Sequence, residues 1–289
     1  MKPPDLLEEY FQGKKLYGDD FSPEEIERWF NDEEDGYADL GAKDRATYRY
    51  EFLALNNAHG FRHLPPRDFG HVLSVGGAYG EELRSLLPKI GNITILDPST
   101  AFLIKEIGGV PVEYVKPRPS GIMPFADETF DLATCFGCLH HVPNVSTVVR
   151  ELFRCIQPSG IVLIREPIVS MGDWRQPRVG LTKRERGLPL SIFRDIVRSA
   201  GFAILKETKC IFPLTFRLRF LFGGPVYNSA TAVWLDEMLS RSFAWNDHRY
   251  HCVRPFQKLR PTAVFFVLQK PEMATSNATL WLHDREDHP

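Results

Sequence analysis

Four groups of residues in this chain of 289 have types and spacings that can do chemistry. The run Val72-Leu-Ser-Val75 breaks into a glycine turn, Gly76-Gly77-Ala78-Tyr79-Gly80, as a buried strand does when its backbone must pass close to a ligand. Asp97 follows a second apolar run and stands 21 residues after Gly76; a carboxylate there accepts two donors at once, such as the hydroxyls of a sugar diol. His140 and His141 end a third run, and imidazole titrates near ~6.5, within reach of general-base work. Arg165-Glu166-Pro167 ends a fourth, where Glu166 suits either orientation of a substrate hydroxyl or amine, or the pinning of a loop.

The glycine turn excludes two common nucleotide sites. A dinucleotide turn needs glycine or alanine at Glu81, and a phosphate-binding P-loop needs a Lys-Ser/Thr pair where Glu81-Glu82 stands. Two acids at a helix start repel the phosphate that the helix dipole attracts, so a cationic or zwitterionic ligand fits better.

These groups need elements to hold them. Ser22-Pro-Glu-Glu25 is a capping box and predicts a helix from Pro23 to about Asn31; a second helix is expected around Lys43–Asn57. From His71 strand and helix patterns alternate. Strands are expected at 72–75, 93–96, 112–115, 130–138, 160–165, 203–208 and 263–269. Helices are expected at 81–87, 100–107, 145–156 and 191–199. The fold class is therefore α/β, a doubly wound, mostly parallel seven-strand Rossmann-like sheet that binds ligands beyond the strand carboxyl ends. Residues 1–68 read as an N-terminal helical segment and 69–270 as the catalytic domain. Within it, 212–260 form an aromatic and basic insertion, and 271–289 are a flexible tail.

Net charge is -2, but residues 1–70 hold 16 acids against 9 bases and residues 165–270 hold 18 bases against 8 acids. Either the two segments face each other or the later one rims an anionic substrate. Its bases are scattered and carry no nucleic-acid motif. Cys135 and Cys138 have CxxC spacing but no second pair, which predicts buried thiols in a reducing compartment. No metal is implied, because an isolated acid and scattered histidines make no ligand set. The N-terminus lacks a signal-peptide core and no apolar run reaches about 18 residues, so a cytoplasmic protein without a membrane span is expected, its oligomeric state open.

From about His71 to Phe202 the chain resembles the class I S-adenosylmethionine-dependent methyltransferases. The GxGxG-like turn, Ile95-Leu-Asp-Pro98, Met123-Pro-Phe-Ala-Asp-Glu-Thr-Phe-Asp131, Cys135-Phe-Gly-Cys-Leu-His-His-Val-Pro-Asn144 and Glu151-Leu-Phe-Arg-Cys-Ile-Gln-Pro-Ser-Gly-Ile161 follow the family's order. The resemblance implies S-adenosylmethionine as cofactor, with Ser74, Gly76, Gly77, Ala78, Tyr79, Gly80, Asp97, Pro98, Ile122 and Phe136 around it. Two positions depart from the pattern: Ser74 stands where an acid is usual, and Ala78 where a glycine is, tolerable at negative φ. The stretch Lys116–Gly121 also lacks the family's adenine-binding acid.

The resemblance further implies methyl transfer to a small or medium-sized polar acceptor, oxygen preferred, with His140 as base or orienting group. Rings beside bases in Trp245–His251 and at Lys258 suit a sugar or nucleotide-sugar, with Tyr250, His251 and Lys258 as acceptor contacts beside Glu166. This segment resembles methyltransferases that accompany bacterial surface-polysaccharide synthesis. Ser74 and the acid-free stretch leave open a catalytically silent partner protein. An NAD(P)-dependent oxidoreductase or epimerase is disfavoured by the glycine spacing.

Overall fold

The computed structural model describes residues 4–40, 45 and 47–272. The runs rich in Val, Ile, Leu and Phe form an eight-stranded sheet in the order β3-β4-β2-β1-β5-β6-β8-β7. Its strands are β1 (Phe69–Val75), β2 (Ile90–Leu96), β3 (Glu106–Ile107), β4 (Val110–Val115), β5 (Phe130–Phe136), β6 (Ile156–Pro167), β7 (Ala203–Cys210) and β8 (Ala263–Gln269). Strands β4, β2, β1, β5 and β6 are parallel. Strand β8 enters antiparallel between β6 and β7. The seven expected strands are all present; the eighth, β3, is a two-residue edge strand where a helix over 100–107 was expected. Gly108 and Gly109, both at positive φ, turn it back onto β4.

Strands buried on both faces read as continuous apolar runs, and β5 and β8 do. On one face α4 (Val145–Cys155) and α5 (Leu190–Ser199) bury Val145, Val149, Leu152, Phe193 and Val197. On the other, α3 (Leu53–His59) and α7 (Ala230–Ser242) pack over Val72, Leu132, Leu163 and Phe265. The stretch 212–260 folds into α6 (Pro213–Arg217), α7 and short turns between β7 and β8.

Before the sheet come α1 (Pro4–Phe11) and α2 (Pro23–Leu40). The capping box forms: Ser22 N–H donates to Glu25 Oε2 at 3.0 Å and Glu25 N–H to Ser22 Oγ at 3.3 Å. Trp29 anchors α2, fully buried, with its indole N–H on the His141 carbonyl at 2.7 Å.

Two expected helices shrink. After the glycine turn only 3-10 turns form, at Glu81–Leu83 and Leu87–Lys89, since Pro88 prevents a longer helix. The second N-terminal helix is α3, which starts later than expected; residues 43, 44 and 46 of that prediction lie outside the described residues, as does most of the predicted tail.

Candidate active site

The sheet brings its chemistry to one edge because the parallel strands are in register. Val75 pairs with Leu96 and with Cys135, and Phe136 pairs with Arg165. The residues that follow, Gly76, Asp97, Gly137 and Glu166, therefore emerge side by side at the carboxyl ends. Two cavities open there, and they meet at Val75, Gly76 and Gly137. The first holds Asp97, Pro98, Ile122 and Met123 under Phe30, Glu33 and Glu34 of α2. The second holds Gly77, Glu82, Phe136, His140, Arg165 and Glu166 under residues 48–52.

Asp97 is 1% exposed, and its carboxylate is fixed by the N–H groups of Ala78 (3.1 Å) and Ser99 (3.0 Å). Burial raises its pKa against those two bonds. The turn itself is tight. A Cβ on Gly76 would lie 2.7 Å from Cys138 Sγ, and one on Gly77 1.8 Å from Ser74 Oγ. Ala78 adopts φ 48°, not the negative φ expected; its bond to Asp97 holds it in the left-handed region.

Ser74 stands back from both cavities. It is fully buried and donates its hydroxyl to Glu82. Gly80, at φ 65°, turns the chain so that Glu82 folds back under the glycine turn. The acid missing from the end of β1 is thus present eight residues later in the chain, in nearly the same place. Glu82 is 3% exposed and borders the second cavity. Burial pushes its pKa up to about 7, although the Ser74 hydrogen bond pulls it down.

His140 is not poised as a free base. Its Nδ1 lies 2.8 Å from Glu166 Oε2 and its Nε2 3.4 Å from Glu185 Oε1. Burial alone would lower the imidazole, but these two carboxylates hold it up at about 9. Glu166 belongs to the same arrangement: fully buried, it takes the N–H groups of Cys138 (2.8 Å), Leu139 (2.7 Å) and His140 (3.3 Å), which pins the turn and leaves it little for a substrate. His141 points its Nδ1 at Glu33 Oε2, 2.7 Å away. Buried Arg186 carries no carboxylate; its guanidinium donates to the carbonyls of Tyr17, Leu139, His140, Val142 and Pro143.

Of the other expected cofactor residues, Gly76, Gly77, Pro98, Ile122 and Phe136 line the cavities. Tyr79 and Gly80 do not. Tyr79 is buried against Tyr48 and Phe102, and Gly80 abuts Ile107. The three acceptor contacts expected in the insertion also stand off both cavities. Tyr250 donates its hydroxyl to the Gly187 carbonyl at 2.6 Å, His251 bonds Ser170 at 2.7 Å and packs on Phe11, and Lys258 is exposed. Tyr250 and His251 pack against the N-terminal segment, whereas Trp245 is exposed. The sequence did not single out Glu82, Arg165, Phe30, Glu33, Glu34 and residues 48–52, which line the cavities, or Glu185 beside His140.

The fold resembles that of the class I S-adenosylmethionine-dependent methyltransferases, and the sequence comparisons point the same way. Residues 73–164 match the family described as methyltransferase domain. Over 96 residues the chain is 32% identical to the ubiquinone biosynthesis O-methyltransferase of Pseudomonas fluorescens strain Pf0-1 and 39% identical to that of Pseudomonas putida strain GB-1. Each match takes in 32% of this chain and 41% of the relative, so the chain spans less than half the length of these curated relatives. Among solved structures, it is similar to Haemonchus contortus phosphoethanolamine N-methyltransferase 2 (TM-score 0.52, 17% identity, 87% of this chain and 61% of that one). It is similar also to the Haloferax volcanii complex of the Trm112 methyltransferase activator with its methyltransferase (TM-score 0.53, 15% identity, 83% and 98%). These two share its fold.

Proposed function

We propose that the chain moves a methyl group from S-adenosylmethionine to an oxygen of a small or medium-sized polar acceptor. The observation that carries this is the meeting of two cavities at Gly76 and Gly137, one edged by Asp97 and the other by Glu82. The residues suit that cofactor: Asp97 would hold the ribose hydroxyls, Pro98, Ile122 and Met123 the adenine, and Glu82 the ammonium group. Gly76 and Gly77 are required by the turn itself, where a Cβ would meet Cys138 and Ser74. When bound, S-adenosylmethionine supplies a methyl group on a positively charged sulfur. The protein's task is orientation, which contributes as much as ~7–11 kcal/mol when reacting atoms are held in line.

The acceptor would lie in the second cavity, against Tyr48, Arg49, Tyr50, Arg165 and Thr262. Arg165 is 5% exposed, sits 3.9 Å over the Phe52 ring and bonds Asn56 at 2.7 Å, so its position is fixed. A guanidinium beside a hydroxyl favours the ionised oxygen, which eases transfer without a histidine base. The O-methyltransferase names of the curated relatives support oxygen over nitrogen. A sugar remains a suitable acceptor only through this cavity, since the rings at 245–251 line neither. His140 serves as a positioning residue for the turn.

Calorimetric titration with S-adenosylhomocysteine should give a micromolar constant, and Asp97→Ala should weaken it by roughly 1.5–3 kcal/mol, the worth of charged hydrogen bonds. Release of S-adenosylhomocysteine should then follow addition of hydroxylated acceptors and not of their amino counterparts. Absence of heat with either cofactor form would make the chain the silent partner protein.

A further inference from the structure

We propose that His140, His141 and Glu185 bind a divalent transition-metal ion of the zinc class in the wall between the two cavities. One ring nitrogen of each histidine and one carboxylate oxygen of Glu185 lie within 4.8 Å of one another. The His140 Nε2 to Glu185 Oε1 distance is 3.4 Å. Two ligands of a tetrahedral zinc ion, each at about 2.0–2.1 Å from the metal, stand about 3.3–3.4 Å apart. Two histidines and a glutamate are a ligand set that leaves a fourth position for an exogenous oxygen.

The surroundings are those of a built site. Ligating histidines commonly donate their second ring nitrogen to a carboxylate, which fixes the tautomer and orients the ring. Both histidines have such a carboxylate at Nδ1: Glu166 at 2.8 Å for His140 and Glu33 at 2.7 Å for His141. Each carboxylate is held in turn. Three backbone N–H groups hold Glu166, while Thr182 Oγ1 (2.6 Å) and Arg184 N–H (3.0 Å) hold Glu33. Glu185 is oriented the same way, its Oε2 taking the Thr182 N–H at 2.9 Å while Oε1 faces His140. The arrangement thus aims Nε2 of His140 and Oε1 of Glu185 at a common point.

Glu33, Glu166 and Glu185 are 7%, 0% and 7% exposed, and each faces one of the two imidazoles. The nearby guanidinium groups of Arg178 and Arg186 donate to backbone carbonyls.

The test uses the full, untagged chain, stripped of metal by chelation. Zinc analysis after dialysis should find one ion per chain, and Co2+ should give the visible absorption of a tetrahedral nitrogen–oxygen site. His141→Ala and Glu185→Gln should each lower zinc affinity at least 100-fold. Glu33→Gln, which leaves all three ligands in place, should lower it 10–100-fold, and it carries the test if a ligand variant fails to fold. Added zinc should raise the melting temperature of the wild type and not of Glu185→Gln. Folded wild type that takes up no zinc, or that keeps its affinity in all three variants, overturns the proposal and leaves the cluster a set of imidazolium–carboxylate pairs.

Discussion

The exchange of Ser74 for an acid changes less than the sequence suggests, because Glu82 brings a carboxylate back to the same place. Asp97 and Gly76 were legible from spacing alone, since the end of one strand and a tight turn fix both. Glu82 was not, for its use depends on Gly80 reversing the chain, and two adjacent acids read only as a repulsive pair. His140 was legible in place but not in its surroundings; its two carboxylate neighbours, Glu166 and Glu185, lie 26 and 45 residues further along.

A pH dependence belongs to this scale. The Glu82 carboxyl has Ser74 as hydrogen-bond partner, Asp97 and Glu81 as like-charged neighbours, and a pKa raised from 4.5 to about 7. Because the folded value is the higher one, its contribution to stability is complete below about 4.5 and is lost as pH rises through about 7. The cofactor's ammonium group needs the opposite state, the carboxylate. Affinity for S-adenosylmethionine should therefore fall as pH drops below about 7 in the wild type and stay flat in Glu82→Gln. That variant should bind about 10–100-fold more weakly at pH 8, with 5′-methylthioadenosine, which lacks the amino acid, unaffected. Equal losses for both ligands would remove the ammonium from Glu82.

At the scale of elements, the sheet was readable because buried parallel strands cannot hide their apolar runs. The short helices were not: Pro88 and Gly108-Gly109 act within a few residues, below the length at which periodicity speaks. The capping box announced α2 but not its destination. That destination is the wall of the first cavity, with Trp29 as the anchor, packed on Tyr17 and Phe21 and lying 5.1 Å from the Arg186 guanidinium. Trp29→Ala should cost roughly 3–5 kcal/mol in urea unfolding. It should also weaken S-adenosylhomocysteine binding, since Phe30, Glu33 and Glu34 lose their seat. A variant that loses stability with cofactor affinity intact would separate α2 from the site.

Taken as a whole, the molecule answers the question raised by its uneven charge. The acidic start does face the basic later segment: Asp32 lies 3.2 Å from Lys183 and 2.6 Å from Arg184. Among the described residues no helix is long and apolar enough to cross a membrane. Because the N-terminal residues roof both cavities, ligand should quiet them more than the far sheet edge. Hydrogen exchange with saturating S-adenosylhomocysteine should slow at 26–34 and 48–52 and not along β7. Uniform slowing would point to global stabilisation instead.

Arg186 has a consequence for the turn between the two cavities. One buried cation ties the carbonyl of Tyr17 to four carbonyls between Leu139 and Pro143. Residues far apart in the chain thus share one donor, and the turn that separates the two cavities keeps its carbonyls paired only when Arg186 is in place.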